Sequence, residues 1–373
     1  MAAGRTLLAW GAALISRVTV ALFAIGFVSA YLPPAWFWWT GLPASLLPFI
    51  AMAAAGLLLV HALLRDAGWA AVHLGVVGLF VMRAGLPGGI GPAASPTAPP
   101  ETAGTALTVM SFNYTPQAHV GGELPVLRDA VGRLATTYTP DLIAMQSARV
   151  FQRRGQMRLI NGLDTLATTG YRVRPEPAYT QRLDTRVPIF SRVPTAVRQG
   201  EIVLQAQQDT DRHIRRAELE WQGTPIVVYN VHLRSFERGH ALDLLEDERY
   251  GAALRELVAV YRRDVLRRVQ EVRELRERLS NETRPTLLVG DLNASPFNWE
   301  YRHLRTALHD APARLGGNWQ FTWHTQRPLA RIDHVLTSAH WEPLSVQVDS
   351  TRISDHFPIV VRLRLRKDGA GGG

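Results

Sequence analysis

Seven polar side chains occur at or beside the ends of short apolar stretches, and their types could support chemistry. Carboxylate and amide oxygens are hard ligands that suit Mg²⁺ or Mn²⁺. Histidines beside carboxylates suit proton transfer and the stabilisation of charge. A metal ion, an aspartate that activates water, and side chains that hold anionic oxygens together describe phosphoester hydrolysis. The seven residues are Asn113, His232, Asp291, Asn293, Asp333, Asp355 and His356.

Each of these residues also has an ordinary structural interpretation. Asp291 and Asn293 could form a tight turn, because both residue types are frequent in turns. The segment "SDH" at 354–356 could cap a helix, and His232 could be a hydrogen-bonded core histidine. Turns, caps and core histidines have no reason to recur in this order, so the ordered set favours the catalytic interpretation.

Short apolar stretches of strand length must position these side chains. They alternate with helical stretches, and they lie at 106–114, 141–147, 225–233, 285–298, 331–338 and 354–365. One long charged segment, 241–282, has leucines and valines at helical spacing. It predicts a surface helix or helix pair with its charges on a solvated face. Coiled-coil or partner binding along it is the alternative, and no protein partner can be deduced.

Composition and charge exclude some kinds of site and leave others open. The chain has no cysteine, so disulfides, thiolate zinc sites and cysteine nucleophiles are excluded. Of the formal net charge of +9, residues 1–106 carry +2 and the remainder +7. This excess is compatible with a phosphate-bearing substrate, and an arginine-rich solvated surface explains it equally well. No basic stripe with interleaved aromatics, of the kind that tracks single-stranded nucleic acid, is present.

The ordered set resembles the endonuclease/exonuclease/phosphatase superfamily, whose members include DNase I. The resemblance covers roughly residues 106–366 and rests on "SFNY", "VPIFSR", "NVHL", "GDLN", "RIDH" and "SDHFP". It implies an α/β fold, the DNase I-like four-layer α/β sandwich. The functional site of such a fold lies at one edge of two packed sheets.

The resemblance also implies catalytic roles. The residue like Asp291 orients or deprotonates the attacking water, and the residue like Asn293 holds the phosphate. The residue like His356 contacts the scissile phosphate and is oriented by the carboxylate like Asp333. His232 would stabilise the charge that develops on the phosphoryl oxygens.

A metal site with one departure follows from the same resemblance. Asp355, Asn113 and Asp291 would lie at or near Mg²⁺ or Mn²⁺. The second strand of the family typically ends in Gln-Glu, and that glutamate is a principal metal ligand. Here Gln146 is kept, but Ser147 stands in the glutamate position.

Ser147 is neutral and short, so it does not replace the charge of a carboxylate on a divalent ion. Three explanations stay open. Another carboxylate, Glu176 or Asp184, reaches the ion; or the ion binds weakly through the remaining ligands and water; or the domain has lost catalysis and kept binding.

The N-terminal third predicts a membrane anchor. Residues Val18 to Leu64 include no Asp, Glu, Lys or Arg. This run holds two spans of about 20 residues each, with the turn "YLPPAWFWW" at 31–39 between them. A third apolar run at 67–82 carries His73 and predicts a third span; an interfacial or re-entrant helix is the alternative.

The short loops predict the orientation of this anchor. Arg5, Arg17 and Arg65 place the N-terminus and the second loop in the cytoplasm by the positive-inside rule. Three spans then put everything after Arg83 outside the cytoplasmic membrane, and two spans would leave it inside. The predicted organisation is a transmembrane anchor at 1–85, a Pro/Gly/Ala-rich linker at 86–105, the endonuclease/exonuclease/phosphatase domain at 106–367 and a disordered tail at 368–373.

The sequence thus predicts a multi-pass membrane protein with an Mg²⁺- or Mn²⁺-dependent phosphoesterase domain. The alternative is a weakened or inactive domain of the same fold that binds a phosphorylated ligand at the membrane. The substrate stays open among DNA, phospholipid head groups and small phosphate esters. A membrane tether is more natural for lipid or envelope substrates than for chromosomal DNA.

Overall fold

The structure is a computed structural model, and it divides the chain into two compact units. One unit comprises Met1–Gly88 with Ala294–Arg302, and the other comprises Gly89–Asn293 with His303–Gly373. The predicted linker at 86–105 and the predicted tail at 368–373 lie outside the described residues. The described ranges are 2–85, 106–115, 124–153, 156–159, 163–173, 184–193, 198–202, 204, 214–237, 239–315 and 320–366.

The first unit is helical. Its elements are α1 (Ala2–Ser29), α2 (Pro34–Phe37), a 3₁₀ turn (Trp38–Thr40), α3 (Gly41–Ser45), α4 (Leu47–Leu64) and α5 (Ala67–Ala84). The prolines of "YLPPAWFWW" fall where α1 ends and α2 begins, since proline cannot continue a helix. Between α4 and α5, Arg65 takes a left-handed φ of 59° and the Asp66 carboxylate accepts a 3.3 Å hydrogen bond from the Trp69 N–H.

Three of these helices are long and apolar enough to cross a membrane. They are Ala9–Ser29, Leu47–Leu64 and Ala67–Ala84. The third apolar run is therefore a helix of spanning length, as predicted. The first candidate span begins earlier than the uncharged run at Val18, because α1 continues through Arg17. The Arg17 guanidinium lies 5.9 Å from the centre of the Trp69 ring, and a long arginine stem can pack along an apolar surface.

Polar side chains connect α1, α4 and α5 inside this unit. Ser16 Oγ lies 2.9 Å from His61 Nε2 and 2.8 Å from His73 Nε2, and all three residues are buried. One hydroxyl therefore links histidines from two other helices. Gly26 permits a close approach elsewhere, since a Cβ there would lie 2.7 Å from the Pro43 carbonyl oxygen.

The segment Ala294–Arg302 belongs to this helical unit, although it is distant in sequence. Asn298 Nδ2 donates a 2.9 Å hydrogen bond to the Gly41 carbonyl oxygen, and Ser45 Oγ donates a 3.0 Å bond to Asn298 Oδ1. The ring of Phe297 lies 5.7 Å from the ring of Phe80. The helix α10 (Trp299–Leu304) begins within the segment.

The second unit is built on two larger sheets and one small one. The first sheet has the order β13-β14-β1-β2-β6, the second has the order β11-β12-β10-β9-β8-β7, and the small sheet has the order β4-β3-β5. The strands are β1 (Ala106–Asn113), β2 (Leu142–Gln146), β3 (Val150–Arg153), β4 (Gln156–Leu159), β5 (Asp184–Thr185), β6 (Ile189–Ser191), β7 (Arg198–Ile202), β8 (Ile214–Trp221), β9 (Thr224–His232), β10 (Thr286–Asp291), β11 (His309–Asp310), β12 (Asp333–Thr337), β13 (Trp341–Val348) and β14 (Ile359–Leu365).

Both larger sheets are mixed, and one apolar core contains side chains from both. In the first sheet β1 pairs in parallel with β2 and antiparallel with β14; in the second, β10 pairs in parallel with β9 and antiparallel with β12. Leu107 and Val361 of the first sheet share the core cluster with Val228 and Val289 of the second. This α/β sandwich is the predicted architecture.

Helices complete the second unit. They are α6 (Leu124–Tyr138), α7 (Asp164–Thr168), α8 (Gly239–Glu246), α9 (Tyr250–Ser280) and α11 (Ala311–Arg314). Leu134 of α6 and Leu166 of α7 share a second apolar cluster with Phe112 and Ile143, which point away from the inter-sheet core. The charged segment at 241–282 is the predicted helix pair, α8 and α9.

Candidate active site

Three buried ionisable side chains converge at one edge of the second sheet. Asp291 is the last residue of β10 and pairs in register with Asp333 of β12 on one side and His232 of β9 on the other. One ligand atom from each of Asp291, Asp333 and His356 lies within 4.8 Å of the other two. Their relative exposures are 1%, 1% and 4%. Strand pairing places Asp291 beside Asp333, whereas His356 comes from the loop before β14 of the first sheet.

Asp333 orients the His356 imidazole. Asp333 Oδ2 lies 2.8 Å from His356 Nδ1, so Nδ1 carries a proton and donates a hydrogen bond to the carboxylate. The other ring nitrogen, Nε2, is then directed into the cluster, 3.9 Å from Asp291 Oδ2 and 3.3 Å from Asn113 Nδ2.

Asp291 is held by contacts on both carboxylate oxygens. Its Oδ1 accepts a 2.7 Å hydrogen bond from the Asn293 N–H, and its Oδ2 accepts a 2.9 Å bond from Asn113 Nδ2. His232 Nε2 lies 3.6 Å from the same Oδ2. Oδ2 therefore faces the polar groups of the cluster, while Oδ1 fixes the loop that follows β10.

Asn293 combines a turn with a site position. Its φ is 48°, a left-handed conformation that asparagine tolerates better than most residues. Asn293 Nδ2 donates to the Leu233 carbonyl oxygen at 3.0 Å and lies 3.2 Å from Asp291 Oδ2. The turn interpretation and the catalytic interpretation of "GDLN" are thus compatible.

Gly290 is required by the close approach of β9. Its φ is 132°, and a Cβ at this position would lie 2.0 Å from the Val231 carbonyl oxygen. A residue with a side chain cannot occupy this position without displacing the strand. The glycine thus allows the Asp291 backbone to end β10 directly beside β9.

Asp355 lies outside the three-residue cluster. It is half-buried, and Thr115 Oγ1 donates a short hydrogen bond to Asp355 Oδ1, which also accepts from Ser354 Oγ at 3.3 Å. Ser354 Oγ also donates to the Asn113 carbonyl oxygen at 2.7 Å. Asp355 is therefore connected to Asn113, another residue of the predicted metal set, through Ser354.

Ser147 is placed next to the cluster by strand pairing. Gln146 pairs in register with Asn113, and Ser147 follows it with a left-handed φ of 59° and a half-buried side chain. Of the two carboxylates considered as substitutes, Glu176 lies outside the described residues and Asp184 lies in the small sheet.

Electrostatics in the cluster are dominated by burial and by the neighbouring charges. Burial, followed by the nearby Asp333 carboxylate, raises the pKa of Asp291 well above that of a free aspartate. Burial lowers the pKa of His356, but the Asp333 carboxylate outweighs it, and the net effect is a pKa raised to about 9. His356 is thus a cation at neutral pH, and Asp291 can exchange a proton closer to neutrality than an exposed aspartate.

The donor set fits a hard divalent cation. Within the described part of the chain, the buried oxygens Asn113 Oδ1 and Asp333 Oδ1 have no hydrogen-bond partner. Buried polar oxygens are nearly always satisfied by protein, water or an ion. The unpartnered Asn113 amide oxygen, together with the Asp291 and Asp333 carboxylates, is a donor set that suits Mg²⁺ or Mn²⁺.

Two polar contacts near the site were not anticipated from the sequence. Gln146 Nε2 donates a 2.7 Å hydrogen bond to Asn230 Oδ1, which joins β2 of the first sheet to β9 of the second. Asn230 lies two residues before His232 on β9, so both side chains are on the same face of the strand. This spacing was the signal in the sequence that could have identified Asn230.

His334 is fully buried and lies 3.2 Å from an Arg331 nitrogen, on the face of β12 opposite Asp333. It belongs to a separate cluster.

Known proteins share both the sequence pattern and the fold. A sequence model described as "Endonuclease/Exonuclease/phosphatase family" matches residues 121–356, more than half of the chain. No curated protein matches the chain. Several solved structures superimpose on it, and the identities of 15–17% among those described here support the fold alone.

Three of these structures have comparable similarity. An endonuclease/exonuclease/phosphatase family protein from Bacteroides thetaiotaomicron is 15% identical, with a TM-score of 0.51, covering 72% of this chain and 98% of that chain. TDP2 from D. rerio, complexed with single strand DNA product, is 16% identical, with a TM-score of 0.50 and coverage of 69% and 99%. Truncated TDP2 from Caenorhabditis elegans is 17% identical, with a TM-score of 0.50 and coverage of 69% and 98%. The protein therefore belongs to the endonuclease/exonuclease/phosphatase family.

Proposed function

We propose that this protein is a membrane-anchored hydrolase of phosphate esters that depends on Mg²⁺ or Mn²⁺. The observation that carries the proposal is the buried cluster of Asp291, Asp333 and His356 at the edge of the sheet. Membership of the endonuclease/exonuclease/phosphatase family and the three helices of spanning length support it.

The metal would be held by Asp291, Asn113 and Asp355, with Asn113 Oδ1 as an unpartnered ligand atom. When bound, the ion would supply Lewis acidity that polarises a phosphoryl oxygen. Asp355 Oδ1 accepts a hydrogen bond from the Thr115 hydroxyl, and a carboxylate has a second oxygen that could bind the ion. Ser147 itself adds no charge here, so either another carboxylate such as Glu176 or Asp184 completes the site or the ion binds with one anionic ligand fewer.

The protein side chains perform the remaining steps. Asp291 orients the attacking water and accepts its proton, a role that its raised pKa suits at near-neutral pH. His356, held cationic by Asp333, stabilises the phosphoryl oxygens through Nε2. His232, 3.6 Å from Asp291, and Asn293 contribute further polar contacts to the phosphate.

An activity assay on the full chain in detergent tests the proposal. The measurement is hydrolysis of a generic phosphodiester, bis(p-nitrophenyl) phosphate, with Mg²⁺ or Mn²⁺. Asp291→Asn keeps the shape of the side chain and removes its charge, and we expect about 10³-fold loss of rate. The matched control is Asp247→Asn, since Asp247 is exposed at the end of α8. Equal rates for the wild type and Asp291→Asn would contradict the proposal.

A second candidate function rests on Ser147, which stands where the family has its glutamate ligand. In that case the domain binds a phosphorylated ligand at the membrane without hydrolysing it. Absence of turnover with phosphodiesters, phosphomonoesters, plasmid DNA and phospholipids, together with saturable binding of one of them, would favour this candidate.

The proposed organisation keeps the predicted boundaries: anchor at 1–85, linker at 86–105 and catalytic domain at 106–367, with a disordered tail at 368–373. The catalytic domain would lie outside the cytoplasmic membrane. Phospholipid head groups are then more accessible substrates than chromosomal DNA. Nucleic acid stays a candidate because one structural relative was solved with a single-strand DNA product.

A further inference from the structure

Two arginine side chains in the helical unit contact the same aromatic ring, that of Tyr31. The Arg83 guanidinium, in the last turn of α5, lies 5.5 Å from the centre of the Tyr31 ring, and the Arg302 guanidinium lies 4.3 Å from the same centre. Arg83 also lies 4.9 Å from the ring centre of Phe27 and 5.7 Å from that of Phe297. The two guanidinium carbons are therefore at most 9.8 Å apart, the sum of 5.5 and 4.3 Å, on a scaffold of aromatic rings.

Within the described residues, no ion pair of Arg83 or Arg302 with a carboxylate is found. The acidic residues of the helical unit are Asp66 and Glu300. Asp66 precedes the first residue of α5, whereas Arg83 is in its last turn, so about 25 Å of helix separates them. Within the described residues, the interactions found for the Arg83 side chain are with aromatic rings and, through a short hydrogen bond, with the Phe27 carbonyl oxygen.

Free donors and exposure make the pair accessible to an anion. A guanidinium has five N–H donors, and its planar fork matches the oxygens of a phosphate. Arg302 is exposed, and Tyr31 is 61% exposed. The aromatic contacts fix the position of the two guanidinium groups, which reduces the entropy that a ligand would have to remove.

The pair lies at the end of the unit where lipid phosphates are expected. Arg83 contacts residues near the C-terminal end of α1, so the ends of α1 and α5 meet there. The segment that follows α1 exposes Trp36 (79%) and Trp39 (44%). Exposed tryptophan and tyrosine between apolar helices mark the membrane–water interface.

We propose that Arg83 and Arg302 form a binding site for a phosphate group, supplied by an anionic phospholipid in the leaflet on the side of Tyr31. This inference rests on the proposed membrane placement of the helices and not on the proposed catalysis. The same chemistry would accept inorganic phosphate, so the experiment separates these two sources.

The test uses the full chain reconstituted in nanodiscs of phosphatidylcholine alone or with phosphatidylglycerol. Lipid retained by the protein is counted by native mass spectrometry. Arg302→Gln removes one charge from an exposed position, and we expect about fivefold less retained phosphatidylglycerol, the effect of one arginine at a lipid surface. Arg65→Gln removes one charge from the opposite end of the same unit and serves as the control, for which we expect less than a twofold change.

A second arm titrates inorganic phosphate against the thermal unfolding midpoint in detergent. A midpoint that rises for the wild type and not for Arg302→Gln assigns the site to free phosphate as well as lipid. No rise in either protein, with the lipid difference kept, assigns it to lipid alone. Equal phosphatidylglycerol retention by wild type, Arg302→Gln and Arg65→Gln, with no effect of phosphate, overturns the proposal. Hydrolytic activity is not the readout, so this failure is distinct from a failure of the proposed function.

Discussion

At the scale of single residues, Ser147 supports a prediction about metal affinity at the proposed site. If the site lacks one ligand, Ser147→Glu should supply a carboxylate at the end of β2, and activity at low Mg²⁺ should rise because an anionic ligand binds the cation directly. The measurement is activity against Mg²⁺ concentration. We expect the half-saturating concentration to fall by about tenfold, the effect of one added charge–charge contact of about 1.4 kcal/mol.

Ser147→Gln is the matched control, because glutamine has the size of glutamate without its charge. It should leave the half-saturating Mg²⁺ concentration unchanged. An unchanged or higher value for Ser147→Glu would mean that another carboxylate already occupies this coordination position, and the account of a missing ligand would be rejected.

Gly290 supports a prediction about stability. Gly290→Ala places a Cβ 2.0 Å from the Val231 carbonyl oxygen at a φ that side chains rarely adopt. We expect the free energy of unfolding to fall by about 3 kcal/mol. Urea unfolding followed by circular dichroism measures this loss. Gly239→Ala is the control, since a Cβ at Gly239 meets nothing within 4 Å; a similar loss in both variants would contradict the prediction.

The types and order of the site residues could be predicted, whereas their hydrogen-bond partners could not. Asp291 and His356 stand out in the sequence because Asp291 comes at the end of one apolar strand and His356 comes shortly before another. The 2.8 Å contact of His356 with Asp333 joins the first residue of β12, in the second sheet, to the loop before β14, in the first sheet. Local sequence carries no information on how the two sheets pack. His334 looks equivalent to His356 in sequence, each following an aspartate, yet strand parity directs it away from the cluster.

At the scale of secondary-structure elements, α1, α4 and α5 are connected through Ser16. Ser16→Ala would leave the buried Nε2 atoms of His61 and His73 without this partner. We expect a loss of about 1 kcal/mol, the size of an interhelical hydrogen bond within membranes. The thermal unfolding midpoint in detergent should fall for Ser16→Ala and stay constant for the control Leu14→Ala, because Leu14 is 62% exposed. Equal midpoints would indicate that the hydrogen bonds contribute nothing.

The end of α9 is tied to β8 by ion pairs, and these predict a pH dependence. Glu282 accepts hydrogen bonds of 2.7 Å from two Arg284 nitrogens and 3.1 Å from Arg216. The Arg284 hydrogen bonds lower the pKa of Glu282 from 4.5 to about 2. A depressed carboxyl pKa contributes stability above about pH 4.5 that is lost as the pH falls towards 2.

Glu282→Gln should therefore destabilise the protein at pH 7, by about 1 kcal/mol, and the difference from wild type should shrink between pH 4.5 and 2. Urea unfolding at a series of pH values measures it. Glu277→Gln, at an exposed position on α9, is the control and should show no pH-dependent difference. A difference that stays constant over this range would contradict the assignment to Glu282.

Helix and strand positions followed from periodicity, and the boundaries that differed have physical causes. The uncharged run begins at Val18, but α1 begins at Ala2 because arginine continues a helix readily, and the Arg17 guanidinium lies over the Trp69 ring of another helix. A search of the sequence for runs without charged residues does not reveal that tertiary contact. The strands β8 and β13 interleave charged or polar residues with apolar ones, and β7 has a single apolar residue, which weakens the apolar signal on which strand prediction depends.

At the scale of the whole molecule, three spans predict an external catalytic domain. A reporter that is active only in the cytoplasm, fused after Arg366, should stay silent in cells. A reporter that folds only outside the cytoplasm should be active at the same position. A bright cytoplasmic signal would mean that two of the three helices cross, and that the domain lies inside.

The sequence predicts the anchor and the catalytic domain as two consecutive segments of the chain. The helical unit of the structure also includes Ala294–Arg302, which lies within the segment predicted for the catalytic domain. The segment Ala294–Arg302 is grouped with α1–α5, because Asn298 bonds to Gly41 and Phe297 packs on Phe80. Nothing in the local sequence distinguishes this segment from an ordinary surface loop after a strand. Its partners lie some 250 positions earlier, a separation that pattern reasoning does not cover.

This interleaving has a consequence for any shortened form of the protein. Proteolysis or truncation near residue 105 would remove Gly41, Ser45 and Phe80, and would leave the buried Phe297 and Asn298 side chains without the surface they now cover. The stretch left uncovered begins one peptide bond after Asn293, the last residue of "GDLN". A fragment released by such a cut would thus expose an apolar patch next to "GDLN". Its solubility and turnover would reflect the truncation and not the properties of the intact protein.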